Sequence, residues 1–398
     1  DGNFCCDGMF FPDRSPKPAL SEFKYIASPI EIKAKNLKSG RFEIFNKNFF
    51  LNLSDYKLKY EVTVNGKASS SGEVKLGLVK PRQSKPFTLP AQVLKGDGSV
   101  GERFINFSLT LASSKPWAHI GHEVTWEQIA LVSKPLPKVK SAKSKMQYVN
   151  SQGQMQVPFG QIAPALTLWR APTDNDLIGH ISQKWDKWGV RKLELESSKV
   201  VRTGTNTKIT NLWRAQGGAA IKHIQLVESV DSGIRVSETV TLPKELTDLA
   251  RVGINFEVDG ALNNFTYFGI GPNETAPDRK IGKVHRYSST VDQQYVPYVK
   301  PQENGGHMGM RWFSLTNQSG HGLYFQLDKP RMVTVTPMRS EDLANATHNV
   351  FVNPCGNTVI TIDGAHRGIG TASCGPDTLA KYLIKPGTYK WSWSVVTF

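Results

Sequence analysis

KYEVTVNG, residues 59–66, is the stretch from which the fold of this chain can be worked out. Its side chains alternate, with Tyr60, Val62 and Val64 on the apolar side, and a period of two indicates a half-buried β-strand. The closing Asn65-Gly66 dipeptide is a strong signal for a two-residue hairpin turn, because both residue types tolerate positive φ. The stretch therefore predicts a strand, a tight turn and an antiparallel partner.

The same pattern recurs along the chain. His223–Leu242 is typical of strand, turn and strand, with the turn at Asp231–Gly233, and Lys390–Phe398 alternates again. Helix patterns are few: Pro18–Lys24, with a proline near the first turn, and Ser182–Trp188. Short strands separated by Gly, Pro and Asn turns favour antiparallel sandwiches, so we predict an all-β protein.

A Pro- and Lys-rich stretch at residues 133–145 marks the best domain boundary, and we predict a solvated linker over 134–145 in preference to a polyanion contact. Residues 27–133 have the size of one immunoglobulin-like β-sandwich. Residues 146–398 continue the strand pattern and are predicted to form a large antiparallel β supersandwich. Residues 1–26 form a separate leading segment.

Composition excludes several classes of protein. The chain has 398 residues, of which 39% are hydrophobic, and this is a globular profile. The formal charge of +15 is spread thinly instead of forming a patch with a recognisable module, so we predict no nucleic-acid partner. No apolar run approaches the length of a transmembrane helix, so we also predict no membrane partner.

The four cysteines leave the compartment open. No CxxC or metal-ligand spacing is present. A bridge between Cys355 and Cys374 remains one interpretation, and free buried thiols are the favoured one. The compartment is therefore unknown, with the cytoplasm slightly favoured over the periplasm or secretion.

LWRAPTDND, residues 168–176, is the first motif rich in charge. Arg170 beside Asp174 and Asp176 predicts either a buried ion-pair network that shapes a loop or a loop that lines a binding site. In the second interpretation Gly179 is the hinge. The residues alone favour the structural interpretation.

YFGIGPNETAPDRK, residues 267–280, is the second such motif. Glycines and a proline predict a turn, and Glu274, Asp278 and Arg279 then cluster. A capped, salt-bridged loop is favoured over a pair of catalytic acids, since nothing in the spacing sets two carboxylates at the separation that glycoside hydrolysis needs. The tryptophans Trp312, Trp391 and Trp393 are predicted to be core residues in preference to sugar platforms.

The first 24 residues contain no initiator Met, no basic stretch and no apolar stretch of a signal peptide. They are therefore expected to follow a preceding segment, as in a fragment or a processed chain.

Taken together, the ordered motifs resemble the C-terminal part of the large bacterial β-galactosidases of glycoside hydrolase family 2. The resemblance runs nearly from end to end, and the motifs that carry it are specific. They are Phe4–Lys24, Asn46–Tyr56, Gly121–Gln128, Trp169–Asp176, Gly269–Arg279, Tyr298–Gly305 and Asp363–Gly370.

This resemblance implies that a (β/α)8 barrel precedes the chain and carries both catalytic carboxylates. The complete enzyme would hydrolyse terminal β-D-galactosides with retention, using one carboxylate as acid and base and another as nucleophile. The chain itself would contain no catalytic residue and would be inactive alone. It would complete and cover the active site.

The resemblance also implies specific site residues. The backbone carbonyl of Phe4 would help to bind Na+, and Asp7 would touch the sugar, although Asp stands where the family commonly has Asn. The loop that contains Asp176 and Gly179 would open and close over the bound substrate. Mg2+ and Na+ are expected for the complete enzyme, and neither would be bound wholly by this chain.

Two rival interpretations stay open. The chain could be a stand-alone carbohydrate-binding or scaffold module, which would need an exposed aromatic platform. It could also be a separately encoded small subunit that joins a barrel-bearing partner. The family resemblance further predicts a β-galactoside ligand and a homo-oligomer.

Overall fold

The computed structural model describes residues 8–95, 100–131, 148–150 and 152–398. These residues divide into two compact units. The small unit contains the described residues from 15 to 131 together with 281–286, and the large unit contains the remainder. The predicted linker at 134–145 lies outside the described residues.

The described residues of the small unit form seven strands in two antiparallel sheets, one of three strands ordered β1-β2-β5 and one of four ordered β4-β3-β6-β7. Seven strands in sheets of three and four match the strand count of a constant-type immunoglobulin sandwich. The strands are β1 Ile30–Asn36, β2 Arg41–Asn46, β3 Tyr56–Val64, β4 Lys67–Val74, β5 Ser84–Thr88, β6 Arg103–Leu111 and β7 Glu123–Ala130.

The predicted hairpin is confirmed. Strands β3 and β4 are joined by Asn65 and Gly66, which have φ values of 51° and 73°. Glycine is required at the second position, because a Cβ atom on Gly66 would lie 2.3 Å from the backbone nitrogen of Arg286. A segment from later in the chain therefore packs against this turn.

The same later segment is held by a side-chain amide. The Nε2 atom of Gln128 donates to the carbonyl of Val284 at 3.0 Å, and its Oε1 atom accepts from the Val284 backbone N–H at 2.8 Å. The amide thus replaces two ladder bonds of a strand. Between the two sheets, a single apolar core contains Phe42, Ile105 and Leu109 among its buried residues.

The described part of the large unit contains one antiparallel sheet of twelve strands, except that residues 283–286 of its strand β15 are counted with the small unit. Its main path is β15-β14-β16-β17-β19-β12-β11-β10-β9, while β18 joins β17 to β13, and β13 in turn pairs with β8. The strands are β8 Gly160–Thr167, β9 Leu193–Thr203, β10 Asn206–Ala215, β11 Ala220–Val230, β12 Gly233–Leu242, β13 Arg251–Asp259, β14 Asn264–Gly271, β15 Lys283–Thr290, β16 Gly306–Thr316, β17 Gly322–Thr336, β18 Asn357–His366 and β19 Gly387–Thr397.

Two further sequence predictions are confirmed in this unit. Strands β11 and β12 form a hairpin that turns at Ser232, where φ is 58°. The alternating C-terminal stretch forms β19, in which Trp391 and Trp393 are 2% and 1% exposed and belong to the core. Trp312 in β16 is only partly buried and does not belong to that core. The all-β, antiparallel fold class is therefore confirmed.

Helices are short. They are α1 Ala19–Ile26, α2 Ala91–Lys95, α3 Asp174–Ile178, α4 Ile181–Trp188 and α5 Ser340–Asn345. The first and fourth lie where the sequence predicts helices, and Pro18 stands at the start of α1 as expected. Within the described ranges, none of the helices combines the length and the apolar character needed to span a bilayer.

The cysteine prediction is half right. Cys355 and Cys374 are free thiols, but Cys374 is exposed and Cys355 is only partly buried. The expectation of buried thiols is therefore wrong, because both cysteines lie in loops outside the sheet.

Candidate functional site

The first charge-rich motif forms a short helix with defined ends, although the sequence predicts a loop. We call residues 168–179 the site segment. Thr173 caps α3: its Oγ1 accepts from the backbone N–H of Asp176, and the Asp176 carboxylate accepts from the backbone N–H of Thr173. Such a reciprocal capping box stabilises a helix start that hydrophobic periodicity would not reveal.

Gly179 closes that helix, and its backbone N–H donates to the carbonyl of Asn175. Its φ of −73° is open to any residue, so the need for glycine comes from space. A Cβ atom here would lie 2.6 Å from the Cβ atom of Ala372 and 2.7 Å from the Asn175 carbonyl oxygen. The end of the site segment is therefore packed closely against a distant loop.

Arg170 and Asp176 form a buried ion pair inside the site segment. Both side chains have no exposed surface, and the Nη2 atom of Arg170 lies 2.9 Å from Oδ1 and 3.0 Å from Oδ2 of Asp176. The remaining guanidinium hydrogens reach the backbone carbonyls of Arg367 and Gly368 at 3.0 and 3.3 Å. The buried charge is thereby paired and hydrogen-bonded, as low-dielectric burial requires.

The loop that receives these contacts, residues 366–378, is here called the return loop. Asn175 binds it from the site segment: its Nδ2 donates to the Gly370 carbonyl at 2.8 Å, and its Oδ1 accepts from the Ser373 hydroxyl at 2.7 Å. Arg170 and Asn175 therefore hold the site segment against the return loop at two positions.

A second buried arginine organises the return loop itself. Arg367 is 1% exposed, and its guanidinium contacts Asp248 at 2.8 Å and both oxygens of Asp377 at 3.0 Å. A further donor reaches the hydroxyl of Thr378 at 2.8 Å. One guanidinium thus satisfies two carboxylates and a hydroxyl in a geometry that lysine could not reproduce.

Arg251 is the third buried arginine. Its Nη2 atom lies 2.9 Å from Glu303, and its Nε atom lies 3.2 Å from Asp363. The other oxygen of Glu303 accepts from the backbone N–H of Ala171 at 3.1 Å and from the Ser340 hydroxyl at 2.9 Å. The backbone of the site segment is therefore also tied to this cluster.

Asp363 has an unusual electrostatic environment. Burial raises the pKa of Asp363 to about 7, while Arg251 opposes the rise and the negative charge of Glu303 adds to it. Nearby, burial together with the positive charges of Arg170 and Arg251 lowers the pKa of His366 well below its usual value. The side chain of His366 is consequently neutral at physiological pH.

The second charge-rich motif lies partly in strand β14 and partly in the turn that follows it, whereas the sequence predicts a loop throughout. Its salt bridge is confirmed: Arg279 pairs with Glu274 at 2.5 Å, and the other oxygen of Glu274 accepts from the Gly305 N–H at 2.7 Å. Asp278 accepts from the backbone N–H groups of Ile369 and Gly370 at 2.9 and 2.8 Å. This motif therefore also supports the return loop.

The structure brings together only part of the predicted site. Asp176 and Gly179 lie in one segment, but both oxygens of Asp176 are engaged by Arg170 and Thr173 within the protein. Phe4 and Asp7 lie outside the described residues. Their roles, and those of Asp176 and Gly179 toward a substrate, stay predictions.

For the expected cations, the part of the chain that the structure describes contains no group of three or more His, Cys, Asp or Glu side chains arranged to hold a metal ion. The carbonyl of Phe4, to which the resemblance assigns Na+, lies outside that part.

Sequence reasoning missed several members of the network. The partners of Arg367 and Arg251 stand 119 and 112 residues away at Asp248 and Asp363, so no local spacing connects them. Asp363 and Arg367 belong to one of the motifs that carry the family resemblance, whereas Asp248 and Arg251 lie outside all of them and gave no signal. The described carboxylates around Arg170, Arg251 and Arg367 pair with guanidinium groups or accept hydrogen bonds from backbone N–H groups.

Two family models match the chain. The model described as "Beta galactosidase small chain" matches residues 138–395, and the model described as "Beta-galactosidase, domain 4" matches residues 42–132. The first match alone covers more than half of the chain. The predicted resemblance is therefore confirmed at the level of the family.

Curated relatives agree with these matches. A β-galactosidase from Actinobacillus pleuropneumoniae is 28% identical over 427 aligned residues, covering 98% of this chain and 41% of the relative. A β-galactosidase from Priestia megaterium is 27% identical and covers 93% of this chain and 38% of the relative. The chain thus spans about two fifths of the length of these relatives.

Solved structures add little. An α-N-acetylgalactosaminidase from Bifidobacterium bifidum has a TM-score of 0.29 and 12% identity, covering 52% of this chain and 28% of that one. A TM-score of this size carries no argument about fold or function.

Proposed function

The chain belongs to the family of the β-galactosidase small chain, and from this membership we propose that it is the C-terminal part of a retaining β-galactosidase. The complete enzyme would hydrolyse terminal β-D-galactosides. The observation that carries the proposal is the match of nearly the whole chain to curated β-galactosidases that are more than twice as long.

The chemical step is assigned to residues outside this chain. Retaining hydrolysis needs two carboxylates about 5 Å apart, one of which protonates the leaving group while the other attacks the sugar. The assignment is supported by the buried arginines, since the guanidinium groups of Arg170, Arg251 and Arg367 already engage the carboxylates of their clusters. The 398-residue chain alone is therefore expected to be inactive.

The contribution of this chain would be to complete and cover the active site. In this proposal the site segment borders the bound galactoside, and Gly179 sets where the segment bends. Asp176 acts as a positioning residue, since its carboxylate is already held by Arg170 and Thr173. Asp7 would touch the sugar, and the carbonyl of Phe4 would contribute one ligand to Na+.

The proposal also covers the bound cations and the oligomeric state of the complete enzyme. Mg2+ and Na+ would be bound by the complete enzyme, with the remaining ligands supplied from outside this chain. The partner of the chain would be the barrel region, and the complete enzyme would be a homo-oligomer.

The proposal is tested by assaying the purified 398-residue chain on a chromogenic β-galactoside, alone and after co-expression with the barrel-bearing region. We expect no hydrolysis by the chain alone and hydrolysis with retained anomeric configuration in the combined sample, read by proton NMR of the first product. Robust hydrolysis by the chain alone would contradict the assignment of the carboxylates. An inverted first product would contradict the retaining mechanism.

The description of the matching family as a small chain favours a second candidate, namely a separately encoded subunit. The two candidates differ in covalent connection. A barrel-bearing protein that co-purifies with this chain but separates from it under denaturing conditions would favour the subunit.

A further inference from the structure

A groove of about 440 Å3 lies on the surface of the small unit, and none of the roles described so far uses it. It is lined by residues 26–29, where α1 ends, and by the loop at residues 47–51, which follows β2. Its four largest apolar side chains are each more than half exposed, and they are Ile26, Phe49, Phe50 and Leu51. Exposed apolar groups that adjoin one another in this way mark interaction sites, so the groove is expected to have an occupant.

The loop that carries the two phenylalanines is held in place. Asn46 is fully buried, and its Nδ2 atom donates to the carbonyl of Leu51 at 2.9 Å. The guanidinium carbon of Arg82 lies 4.8 Å from the centre of the Phe49 ring, and Arg82 also donates to the carbonyl of Lys47 at 3.0 Å. The exposed rings are therefore presented in a fixed arrangement, which lowers the entropy cost of docking.

The opposite wall, at the end of α1, is fixed as well. The ring of Tyr25 packs against that of Trp126 in β7 with 4.6 Å between their centres, and the Tyr25 hydroxyl donates to Glu127 at 3.0 Å. Phe23 and Ile26 stand three positions apart on the helix, and both remain more than half exposed. The helix is thus attached to the sheet through Tyr25 while apolar side chains stay open to a partner.

The charge next to the groove has one sign. Among the described residues that line it, Lys47 is charged and none is acidic. Arg82, which lies against the ring of Phe49, adds a second cation. Because complementary charge favours docking and like charge opposes it, the occupant should combine apolar side chains with carboxylates.

The size of the groove distinguishes a free occupant from a tethered one. Nine residues line it, whereas a stable interface between separate proteins involves about 20–30 residues a side. A second copy of the chain would therefore gain too little from this groove alone. A region joined to the chain binds at a high effective concentration and needs much less contact.

The proposed function supplies such a region. The chain covers 41% and 38% of two curated relatives, so more than half of their length lies outside it. In that proposal the barrel region joins the chain 18 residues before α1, and 18 extended residues span at most about 60 Å. A groove at the end of α1 is therefore within reach of the barrel region.

We propose that this groove is occupied by the region that precedes the chain in the complete enzyme, through a segment that has apolar side chains and flanking carboxylates. Phe50, which is 94% exposed, is the central contact. The proposal rests on the proposed function, because it requires a preceding region. It adds the surface by which the small unit holds that region.

Thiol labelling tests the proposal. Phe50→Cys changes a side chain that is almost entirely in water, so the fold should tolerate it. Its labelling by a maleimide, separated from that of the native cysteines by peptide mass spectrometry, should be at least about tenfold slower in the complete enzyme than in the 398-residue chain, because a covered thiol reacts only after local opening. Leu78→Cys, at an exposed position of the small unit outside the groove, is the matched control and should react equally in both.

Photo-crosslinking identifies the occupant. With p-benzoylphenylalanine at position 50 of the complete enzyme, we expect a crosslink to a peptide that precedes residue 1 and contains a carboxylate. A crosslink to residues of a second copy of this chain would overturn the proposal. So would protection of Phe50→Cys that appears in the isolated chain and grows with its concentration, or equal labelling of Phe50→Cys in the two samples.

Intact mass and β-galactoside hydrolysis, measured on the same samples, check the proposed function separately. An active enzyme that contains the barrel region but labels at Phe50→Cys as fast as the isolated chain contradicts only the occupancy of the groove. An active 398-residue chain without a barrel-bearing region contradicts both proposals.

Discussion

The small unit and the large unit are both antiparallel β-structures, but their ion pairs differ in how far they are buried. In the described small unit the ion pairs are open to solvent on both sides, as for Lys33 and Glu31, whose side chains are 60% and 46% exposed. In the large unit, Arg170 and Asp176 have no exposed surface. The described interior of the first unit is an apolar core, whereas the interior of the second also contains buried ion pairs.

The difference shows which contacts determine how distant segments of the large unit are paired. Buried ion pairs are poor evidence of net stability, because removing two charges from water costs about as much as their attraction returns. They do fix which segments meet: Arg251 and Arg367 pair with carboxylates that are distant in sequence, and Arg170 donates to backbone carbonyls of the return loop. The site segment and the return loop are therefore held by charge, while the sheets are held by apolar packing.

The largest expected effect comes from Arg170→Ala. This change leaves the Asp176 carboxylate buried without its charged partner, so the large unit should lose about 3–5 kcal/mol of stability. Hydrogen exchange resolved by peptide measures the loss in each unit separately. Arg214→Ala, which removes an exposed pair with Glu196, is the matched control and should cost less than about 1 kcal/mol. Equal losses of stability in Arg170→Ala and Arg214→Ala would show that burial of the ion pair makes no difference.

Leu109→Ala should have its effect in the other unit. Leu109 is fully buried in the apolar core of the small unit, and truncating such a leucine costs about 2–5 kcal/mol. Exchange should accelerate in peptides of the small unit. Leu78→Ala, at a position 55% exposed, serves as the control. A loss that falls mainly on peptides of the large unit would contradict the separate cores.

Gly179→Ala probes the closest packing of the site segment. The new Cβ atom would crowd Ala372 and cost about 1–3 kcal/mol, seen as faster exchange in the site segment and the return loop. The double variant Gly179→Ala/Ala372→Gly removes part of the crowding and should recover part of the loss. No recovery in the double variant would show that Ala372 is not the limiting contact.

Asp363→Asn probes the buried charge through pH. Since folding raises the pKa of Asp363 to about 7, the folded state binds this proton more tightly than the unfolded state does. The resulting stabilisation is fully present below the unfolded pKa and is lost as pH rises through about 7. The free energy of unfolding of the wild type should therefore fall relative to that of Asp363→Asn between pH 5 and pH 8. Urea titrations at pH steps measure this, and parallel curves would contradict the assigned pKa.

Lys33→Ala should have the smallest effect. Its nitrogen lies 3.0 Å from Glu31, but both side chains are largely in water, so the change should alter stability by less than about 0.5 kcal/mol. Urea unfolding with peptide-resolved exchange measures it. A loss above about 1 kcal/mol would show that charge supports the small unit as well.

Local features of the fold follow from the sequence. The turn at Asn65 and Gly66, the turn at Ser232 and the alternation of β19 are predicted because each depends on neighbours within a few residues. Helix α3 is not predicted, because a segment of five residues is too short to show a helical period. Its start depends instead on the side chain of Thr173.

The candidate site is predictable only in part. The pairing of Arg170 with Asp176 is a local hypothesis that the geometry supports, because six residues separate them. The pairing of Arg251 with Asp363 joins two strands that are far apart in the chain. No local sequence pattern indicates that these two strands lie side by side.

The most direct test of the central claim is the intact mass of the native protein under denaturing conditions, paired with a β-galactoside assay on the same sample. We predict an active protein whose mass lies far above the 44.2 kDa of this chain, with these residues as its C-terminal part. An active protein of about 44.2 kDa with no partner chain would contradict the claim that the catalytic carboxylates lie elsewhere.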